Sequence, residues 1–301
     1  MTIPAAGSLY VVSTPIGNLS DMTFRAVEVL SSAALVVAED TRHSRHLFNH
    51  FKITTPLKSY HEHNEARETP ALVARMLAGD SIALITDAGT PLVSDPGARL
   101  VAAAAEAGVR IVPIPGASSV LAALVGAGLP SDRFLFIGFL ERKGRSRKEE
   151  IERVVSSDVT VVLFESANRL HATLADFAAA GAGERRIVVA RELTKQFEEF
   201  RRGTVAQLEE AYRDEAPKGE VVILMGGEEP ARISDEELEK LAGELIRGGA
   251  SPRTVMDRLI HEHGTPRNAA YKLAHELSAA EAGGAATKPT IRVTKRDEHE
   301  S

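Results

Sequence analysis

The chain has 301 residues, 44% of them hydrophobic and 26% charged, with no cysteine, no tryptophan and a formal charge of −6. At roughly 100–200 residues per domain, that length predicts about two domains of an ordinary soluble globular protein, each able to bury its own core. The missing cysteine excludes disulfides, thiolate zinc sites, iron–sulfur clusters and a cysteine nucleophile, and the mild acidity excludes a uniformly basic nucleic-acid coat while leaving local patches open. No run approaches the ~18–20 apolar residues of a membrane span, and no basic segment followed by an apolar core opens the chain, so a cytoplasmic protein with no membrane partner is expected.

In chain order, the first 228 residues alternate short apolar runs with helical patterns. SLYVVSTP (8–15), ALVVAED (34–40), SIALITDAG (81–89) and RIVPIPG (110–116) form one series. FLFIGFL (134–140), VTVVLFES (159–166), RIVVAREL (186–193) and EVVILMGG (220–227) form a second. Helical periodicity fills 23–33, 64–78, 96–107, 116–127, 146–157, 168–180 and 206–214. Near-continuous Val/Ile/Leu runs between helices predict an α/β protein with mainly parallel sheets covered on both faces. FEEFRRGTV (197–205) alternates instead, as an edge strand does. Two series of four predict two α/β domains, 1–130 and 131–229, joined where Gly, Pro and Asp interrupt AGLPSDR (127–133).

Beyond GGEEPA (226–231) the strand-like runs stop. Residues 234–248, 251–263 and 266–280 predict three short helices, a small module over 230–282. Ser251 and Thr265 are expected N-caps ahead of prolines, and Gly248, Gly249 and Gly264 are expected stops. The Gly/Ala-rich and then charged stretch 283–301 has no core pattern and is expected to be disordered.

Open α/β folds bind ligands beyond the carboxyl ends of their strands, which directs attention to STPIGNLSD (13–21), ITDAGTPLVSDPG (85–97) and PIPGASS (113–119). None fits G-x-G-x-x-G or G-x-x-x-x-G-K-[ST], so a nucleotide-like ligand would be held by a different loop set. Three Gly/Pro loops rich in hydroxyl or carboxylate groups in one half of the chain favour a site over simple turns.

These loops carry a resemblance. VVSTPIGNLSD (11–21), AEDTRHSRHLF (38–48), ITDAGTPLVSDPG (85–97), VPIPGASS (112–119), LFESANRL (163–170), ARELTKQFEEFRRGT (190–204) and KGEVVILMGG (218–227) occur in this order. Together they are similar to the ribosomal RNA small subunit methyltransferase I family, ribose 2′-O-methyltransferases of the tetrapyrrole-methylase superfamily, over residues 8–280. The resemblance implies two α/β domains with S-adenosylmethionine folded up in the cleft between them, and a C-terminal helix-turn-helix module. It also implies a homodimer and a small-subunit ribosomal RNA substrate, in the assembled or assembling subunit, modified at a cytidine of the decoding region. Carried over by motif, cofactor contacts fall on Pro15, Gly17, Asp87, Ala88, Gly89, Thr90, Pro91, Val93, Ser118 and Ser119. From the second domain they fall on Phe164, Glu165, Ser166, Ala190, Arg191 and Glu192. Where many superfamily members read Gly-Asp-Pro, this chain reads Asp-Ala-Gly-Thr-Pro (87–91), as the ribosomal branch does.

A ribose hydroxyl is a poor nucleophile, so transfer needs in-line alignment and a place for its proton. Glu165, Asp40 and His61 lead the candidates, with Glu62, Glu192 and Lys195 also near the expected cleft. Glu165 follows a core strand and could equally contact the cofactor. The pairs His43/His46 and His61/His63 lack further ligands, and transfer from a sulfonium needs no metal, so none is expected. For RNA, the run 142–148 supplies Arg142, Lys143, Arg145, Arg147 and Lys148, with Arg42 and Arg45 beside the second loop. Arg201, Arg202, Arg253, Arg258, Arg267 and Lys272 are further candidates. Two other readings stay open. One is a methylase of a tetrapyrrole or other small acceptor on the same fold, and the other is a ribosome-assembly factor with a vestigial cofactor site. The basic run and the appended helices favour RNA, because a small acceptor needs neither.

Overall fold

The computed structural model describes residues 7–214, 217–228 and 234–283. It divides into two compact units, one ending at Gly227 and the other beginning at Glu228. Of the expected tail 283–301 only residue 283 is described, and residues 229–231 of the turn 226–231 lie outside the described residues.

The first unit opens with a five-stranded sheet of β1 (Ser8–Val12), β2 (Leu35–Ala38), β3 (Leu57–Ser59), β4 (Ile82–Ile85) and β5 (Arg110–Ile114), in the order β3-β2-β4-β1-β5. Every pairing in it is parallel. Its helices are α1 (Phe24–Ser32), α2 (Thr41–Phe51), α3 (Glu65–Leu77), α4 (Ala98–Glu106) and α5 (Ser119–Ala127). Alternate residues of β2 serve two cores. Val36 and Ala38 pack with Ala26, Leu30 and Phe48, while Leu35 and Val37 pack with Leu72, Met76 and Leu100. Burial on both faces explains why these strands read as unbroken apolar runs.

The second sheet comprises β6 (Phe134–Phe139), β7 (Thr160–Ser166), β8 (Arg186–Arg191), β9 (Glu199–Thr204) and β10 (Glu220–Met225), ordered β6-β7-β10-β8-β9. Here the expectation of mainly parallel pairing fails. Only β6 and β7 run parallel, whereas β10 enters antiparallel between β7 and β8, and β9 returns antiparallel along the β8 edge. The apolar runs encode burial on two faces, and burial carries no strand direction. One face packs under α6 (Arg145–Val155), α7 (Leu170–Phe177) and α8 (Val205–Ala211), through Ile151, Leu174, Phe177 and Leu208. The other face, with Val162, Val188, Val222 and Leu224, packs against Val120, Ala123, Leu124 and Ala127 of α5. Thus α5 precedes the sequence break at 127–133 yet seals the second sheet. β9 is the edge strand that its alternation predicts.

Two elements escape the periodicity reading. β3 has three residues, and α2 places its buried Leu47 and Phe48 only in its second half, behind the polar stretch TRHSRH.

The second unit is three helices, α9 (Asp235–Arg247), α10 (Pro252–His263) and α11 (Arg267–Gly283), close to the predicted spans. Ser234 forms a capping box with Glu237, Ser251 caps α10 ahead of Pro252, and Gly264 ends α10 in the left-handed region at φ 63°. Thr265 departs from its expected capping role, because its hydroxyl is buried without a partner. Val255, Leu259, Leu273 and three alanines form the core of this unit.

Candidate functional site

The site is built where β1, β4 and β5 end. Their loops are stitched to one another before any ligand is considered. Thr14 N–H donates to Gly89 O at 2.8 Å and Gly89 N–H donates back to Thr14 O at 3.0 Å. The Thr90 hydroxyl donates to Ala117 O at 3.1 Å and lies 3.0 Å from the Ser13 hydroxyl. The loop 86–97 is strained. Leu92 and Ser94 hold φ at 73° and 68°, where side-chain-bearing residues are rarely found, beside Gly89 at 82°. Such conformations persist only where surrounding structure over-determines them, and they cluster at functional sites.

Opposite, β6 carries a bulge between Phe136 and Phe139. Gly138, at φ 71°, sits on this irregularity with its Cα against Ser94, and Phe139 is left 54% exposed toward the cleft. Bulges of this kind re-aim side chains next to sites.

Between these walls lies a cavity of about 450 Å³. The first wall is Ile16, Ala88, Gly89, Thr90, Val93, Ser94, Asp95, Ser118 and Ser119, and the second is Phe139, Phe164, Glu165, Ser166, Ala167 and Gly219 to Val222. Nine of the expected cofactor residues meet here: Ala88, Gly89, Thr90, Val93, Ser118, Ser119, Phe164, Glu165 and Ser166. Pro15, Gly17 and Asp87 instead line a smaller cavity of about 250 Å³ with His43 and His46. Asp87 accepts the Asp40 N–H at 3.1 Å, tying the β4 loop to the end of β2.

Four expected residues lie outside both cavities. Pro91 is buried within its loop. Ala190 is fully buried in the second sheet, packed in the core beneath α5. Arg191 pairs with Glu199 at 3.0 Å. Glu192 holds Lys195 at 3.0 Å, and Lys195 also reaches Glu220 at 2.9 Å. Lys195 lies across Gly17 and Glu192 lies across Gly219, where any Cβ would overlap these side chains. Asp95, Phe139 and Glu220 are lining residues that motif reading passed over, although each lies inside a string singled out in the sequence. Asp95 had the clearest signal, a carboxylate in the Gly/Pro loop 85–97.

The candidate bases fare unequally. Glu165 is wholly buried, and its carboxylate is occupied. It accepts the Ser166 N–H and the Thr173 hydroxyl, each at 2.7 Å, and pairs with Arg169 at 2.7 Å. Asp40 caps α2 and is gripped by Arg42 through Nε at 3.1 Å and Nη2 at 2.7 Å, which holds its carboxyl well below the usual range. Both carboxylates are engaged with a cation and with hydrogen-bond donors of their own surroundings. Nδ1 of His61 is buried without a partner, and its ring packs edge-on against His63.

Asp95 behaves differently. Burial, then repulsion from Glu39 and Asp87, pushes it up to about 6 despite a hydrogen bond with Thr86. Glu39 is raised as well, by burial first and by Asp87 next.

Within the basic run, Arg142, Lys143, Arg145 and Lys148 are exposed, Arg145 pairing with Glu149 at 2.6 Å. Arg147 corrects its expected RNA role. Its side chain is 12% exposed and is turned inward onto Asp176 and Thr173. Arg142 lines a further hollow with Phe139, Asn168 and Arg169. Arg45 is exposed on α2, whereas Arg42 is committed to Asp40. Arg201 stacks on Tyr212, and Arg202 donates to Ala127 O.

Residues 8–209 match the family described as Tetrapyrrole (Corrin/Porphyrin) Methylases. Solved structures agree in fold. A cobalt precorrin-4 methyltransferase superposes with a TM-score of 0.56 at 23% identity, covering 73% of this chain and 94% of that one. A uroporphyrin-III C-methyltransferase from Thermus thermophilus, complexed with S-adenosyl homocysteine, superposes with a TM-score of 0.53 at 18% identity, covering 72% and 97%. The fold and the inter-sheet cavity define a methyltransferase of the tetrapyrrole-methylase type.

Sequence comparison is more specific. Proteins called ribosomal RNA small subunit methyltransferase I are similar over most of the chain. The one from Synechocystis is 45% identical over 276 residues, which is 91% of this chain and 99% of that protein. The one from Pseudomonas aeruginosa is 45% identical over 276 residues, or 91% and 93%. The one from Mesorhizobium japonicum is 48% identical over 248 residues, or 80% and 84%. The chain belongs to the ribosomal RNA small subunit methyltransferase I family. No helix among the described residues is long and apolar enough to cross a membrane, and no group of His, Asp and Glu among them is placed to hold a metal ion.

Proposed function

We propose that this protein transfers the methyl group of S-adenosylmethionine to the ribose 2′-hydroxyl of a cytidine in the decoding region of small-subunit (16S) ribosomal RNA, in the cytoplasm. The observation that carries the reading is the charge of the cavity. Its lining includes the three carboxylates Asp95, Glu165 and Glu220 and no lysine or arginine. With Glu165 paired to Arg169 and Glu220 to Lys195, Asp95 is the acidic lining group with no ion-pair partner among the described residues, and an uncompensated carboxylate suits a cationic sulfonium ligand better than an anionic one. At about 450 Å³ the cavity is within the range of ligand sites and accommodates a folded cofactor of this class. Bound there, the sulfonium would supply an activated methyl group with no metal.

The protein's own residues would do the rest. The stitched loops hold Gly89 and Thr90 so that their backbone lies at the cavity wall, and Ser118 and Ser119 place hydroxyls at the start of α5. Phe139 and Phe164, 5.4 Å apart between ring centres, shield the second wall from water. Arg142, Lys143, Arg145 and Lys148 flank the cleft on the side of β6 and would neutralise RNA phosphates. The protein acts as a homodimer, for which the exposed Leu121 and Val125 of α5 supply an apolar contact.

Incubating the protein and labelled S-adenosylmethionine with undermethylated small subunits, free ribosomal RNA and a tetrapyrrole precursor tests the reading. Label should enter the RNA of the subunit at a ribose. Label entering only the tetrapyrrole overturns the RNA reading, and cofactor binding with no transfer to any acceptor favours a vestigial assembly factor.

A further inference from the structure

A second space opens beside the cofactor cavity, and its charge is the reverse. This hollow of about 740 Å³ lies between the loop joining β6 to α6 and the turn joining β7 to α7. Phe139 and Ser166 line both spaces, so the two adjoin. The cofactor cavity has three carboxylates in its lining, whereas the hollow has Arg142, Arg169 and a single acid, Glu141. The Glu165–Arg169 pair, at 2.7 Å, spans the boundary, with Glu165 lining the cavity and Arg169 the hollow.

The walls of the hollow are braced against each other. Arg169 is held by Glu165 and, through Nε, by the Ser166 hydroxyl at 2.9 Å, while its Nη1 is buried without a partner. The facing loop is fixed at Glu141, whose N–H donates to Glu150 at 2.8 Å and whose carbonyl accepts from Arg147 at 3.0 Å. Arg147 also donates to the Thr173 hydroxyl, which donates to Glu165, so one chain of hydrogen bonds joins the two walls. On this fixed loop Arg142 is exposed and makes no ion pair among the described residues. Phe139 packs against Phe164 and leaves about half of its surface open.

We propose that this hollow is the subsite of the acceptor nucleotide, with Arg142 on the phosphate 3′ to the methylated ribose and Phe139 stacked on its base. The assignment rests on the methyltransferase reading above. The 2′-hydroxyl sits on the carbon next to the one that bears the 3′-phosphate, so that phosphate comes to rest close to the reacting oxygen. It needs a cation at the rim of the acidic cavity, and a guanidinium offers a phosphate paired donors. An open aromatic face suits an unstacked base, which is how RNA bases outside helices are gripped. Asn168 supplies an amide to the same space. Because the loop is fixed, the phosphate contact orients the ribose as well as binding it, and its loss slows the chemical step.

The test is single-turnover methylation at saturating small subunits, with cofactor affinity from calorimetry and melting temperature measured alongside. Arg142→Ala should lower the saturated rate by about 10- to 100-fold, with cofactor affinity within about twofold of wild type and the melting temperature unchanged. Arg142→Lys, which keeps the charge without the planar fork, should recover only part of that loss. In subunits assembled with 5-iodocytidine RNA, ultraviolet light should join the RNA to Phe139 of wild-type protein carrying S-adenosylhomocysteine. An Arg142→Ala protein that regains the wild-type rate once subunits saturate overturns the assignment, since Arg142 would then be a distant phosphate contact. So does RNA crosslinked to other residues of the protein and not to Phe139. Wild-type protein that labels no RNA in the rate assay overturns the functional reading itself, which keeps the two failures apart.

Discussion

The two halves of the first unit place carboxylates beside the same cleft and treat them in opposite ways. Beside the first sheet, Glu39, Asp87 and Asp95 gather at the ends of β2 and β4 with only a threonine between them, and Glu39 and Asp95 hold their protons more tightly than usual. On the second sheet and its helices, carboxylates have basic partners: Glu165 with Arg169, Glu192 and Glu220 with Lys195, Glu209 with Arg213 and His171. Pairing makes a carboxylate a strut, whereas crowding with like charges raises its proton affinity and costs stability.

The sharpest way to break that comparison is to remove the strut at its centre. Glu165→Ala should destabilise the protein by about 3–5 kcal/mol, because Arg169 would be left as an unpaired, mostly buried cation. Glu165→Gln, whose amide oxygen can still accept the Ser166 N–H while its NH2 group donates to the Thr173 hydroxyl, should fold and retain a methylation rate within about tenfold of wild type. Denaturant unfolding together with single-turnover rates reads both. A loss of rate in Glu165→Gln of about 10²-fold or more would return Glu165 to the role of base.

Next in size is Gly219, where φ is 93° and a Cβ would overlap the Glu192 carboxylate. Gly219→Ala should cost about 1–3 kcal/mol of backbone strain and dislodge Glu192 from Lys195, loosening the cavity wall at Glu220. Cofactor affinity should fall together with the melting temperature. A variant with wild-type affinity would mean that this lock does not shape the cavity.

The two halves should also respond oppositely to pH. Asp95 is raised from 3.8 to about 6, so the folded state binds its proton more tightly than the unfolded chain. The stability this gives is present below the unfolded value and is lost as pH rises through about 6. Glu192 and Glu209 are lowered, by Lys195 and by His171 first, so their stabilisation is present above the ordinary 4.5 and is lost on acidification. Melting curves of Asp95→Asn should therefore lie above wild type at pH 8 and converge with it near pH 4. A variant melting below wild type at pH 8 would mean that Asp95 is another strut.

Much of this architecture was legible in the residues. Near-continuous apolar runs mark nine of the ten strands among the described residues, counting the alternating edge strand, and the Gly/Pro loops at 85–97 and 113–119 mark one wall of the cavity. Three things were hidden for physical reasons. Strand direction in the second sheet is set by how the chain returns, and two-sided burial looks the same either way. The partners of Glu165, Arg169 four residues on and Thr173 eight, follow from helix geometry that a strand-end motif does not display. Asp95 looked like one acid in a turn, because its two acidic neighbours come from strand ends 56 and 8 positions away in a chain whose register only the fold supplies.

The basic run 142–148 carries the same contrast within seven residues. Arg147 turns inward to Asp176 and Thr173, so Arg147→Ala should lower the melting temperature by several degrees as its partly buried charged network is broken. Arg145 and Lys148 point to solvent, and the Arg145–Glu149 pair is worth only about 0.3–0.5 kcal/mol at such a site. The double variant Arg145→Ala with Lys148→Ala should therefore keep its stability and its cofactor affinity. It should bind subunit RNA more weakly and reduce the salt dependence of binding by about 0.7–0.9 in log–log slope for each phosphate it no longer neutralises. If the double variant keeps the full salt slope while Arg147→Ala lowers it without unfolding, the inward residue is the one that meets RNA, and packing rather than exposure has been misread on this helix.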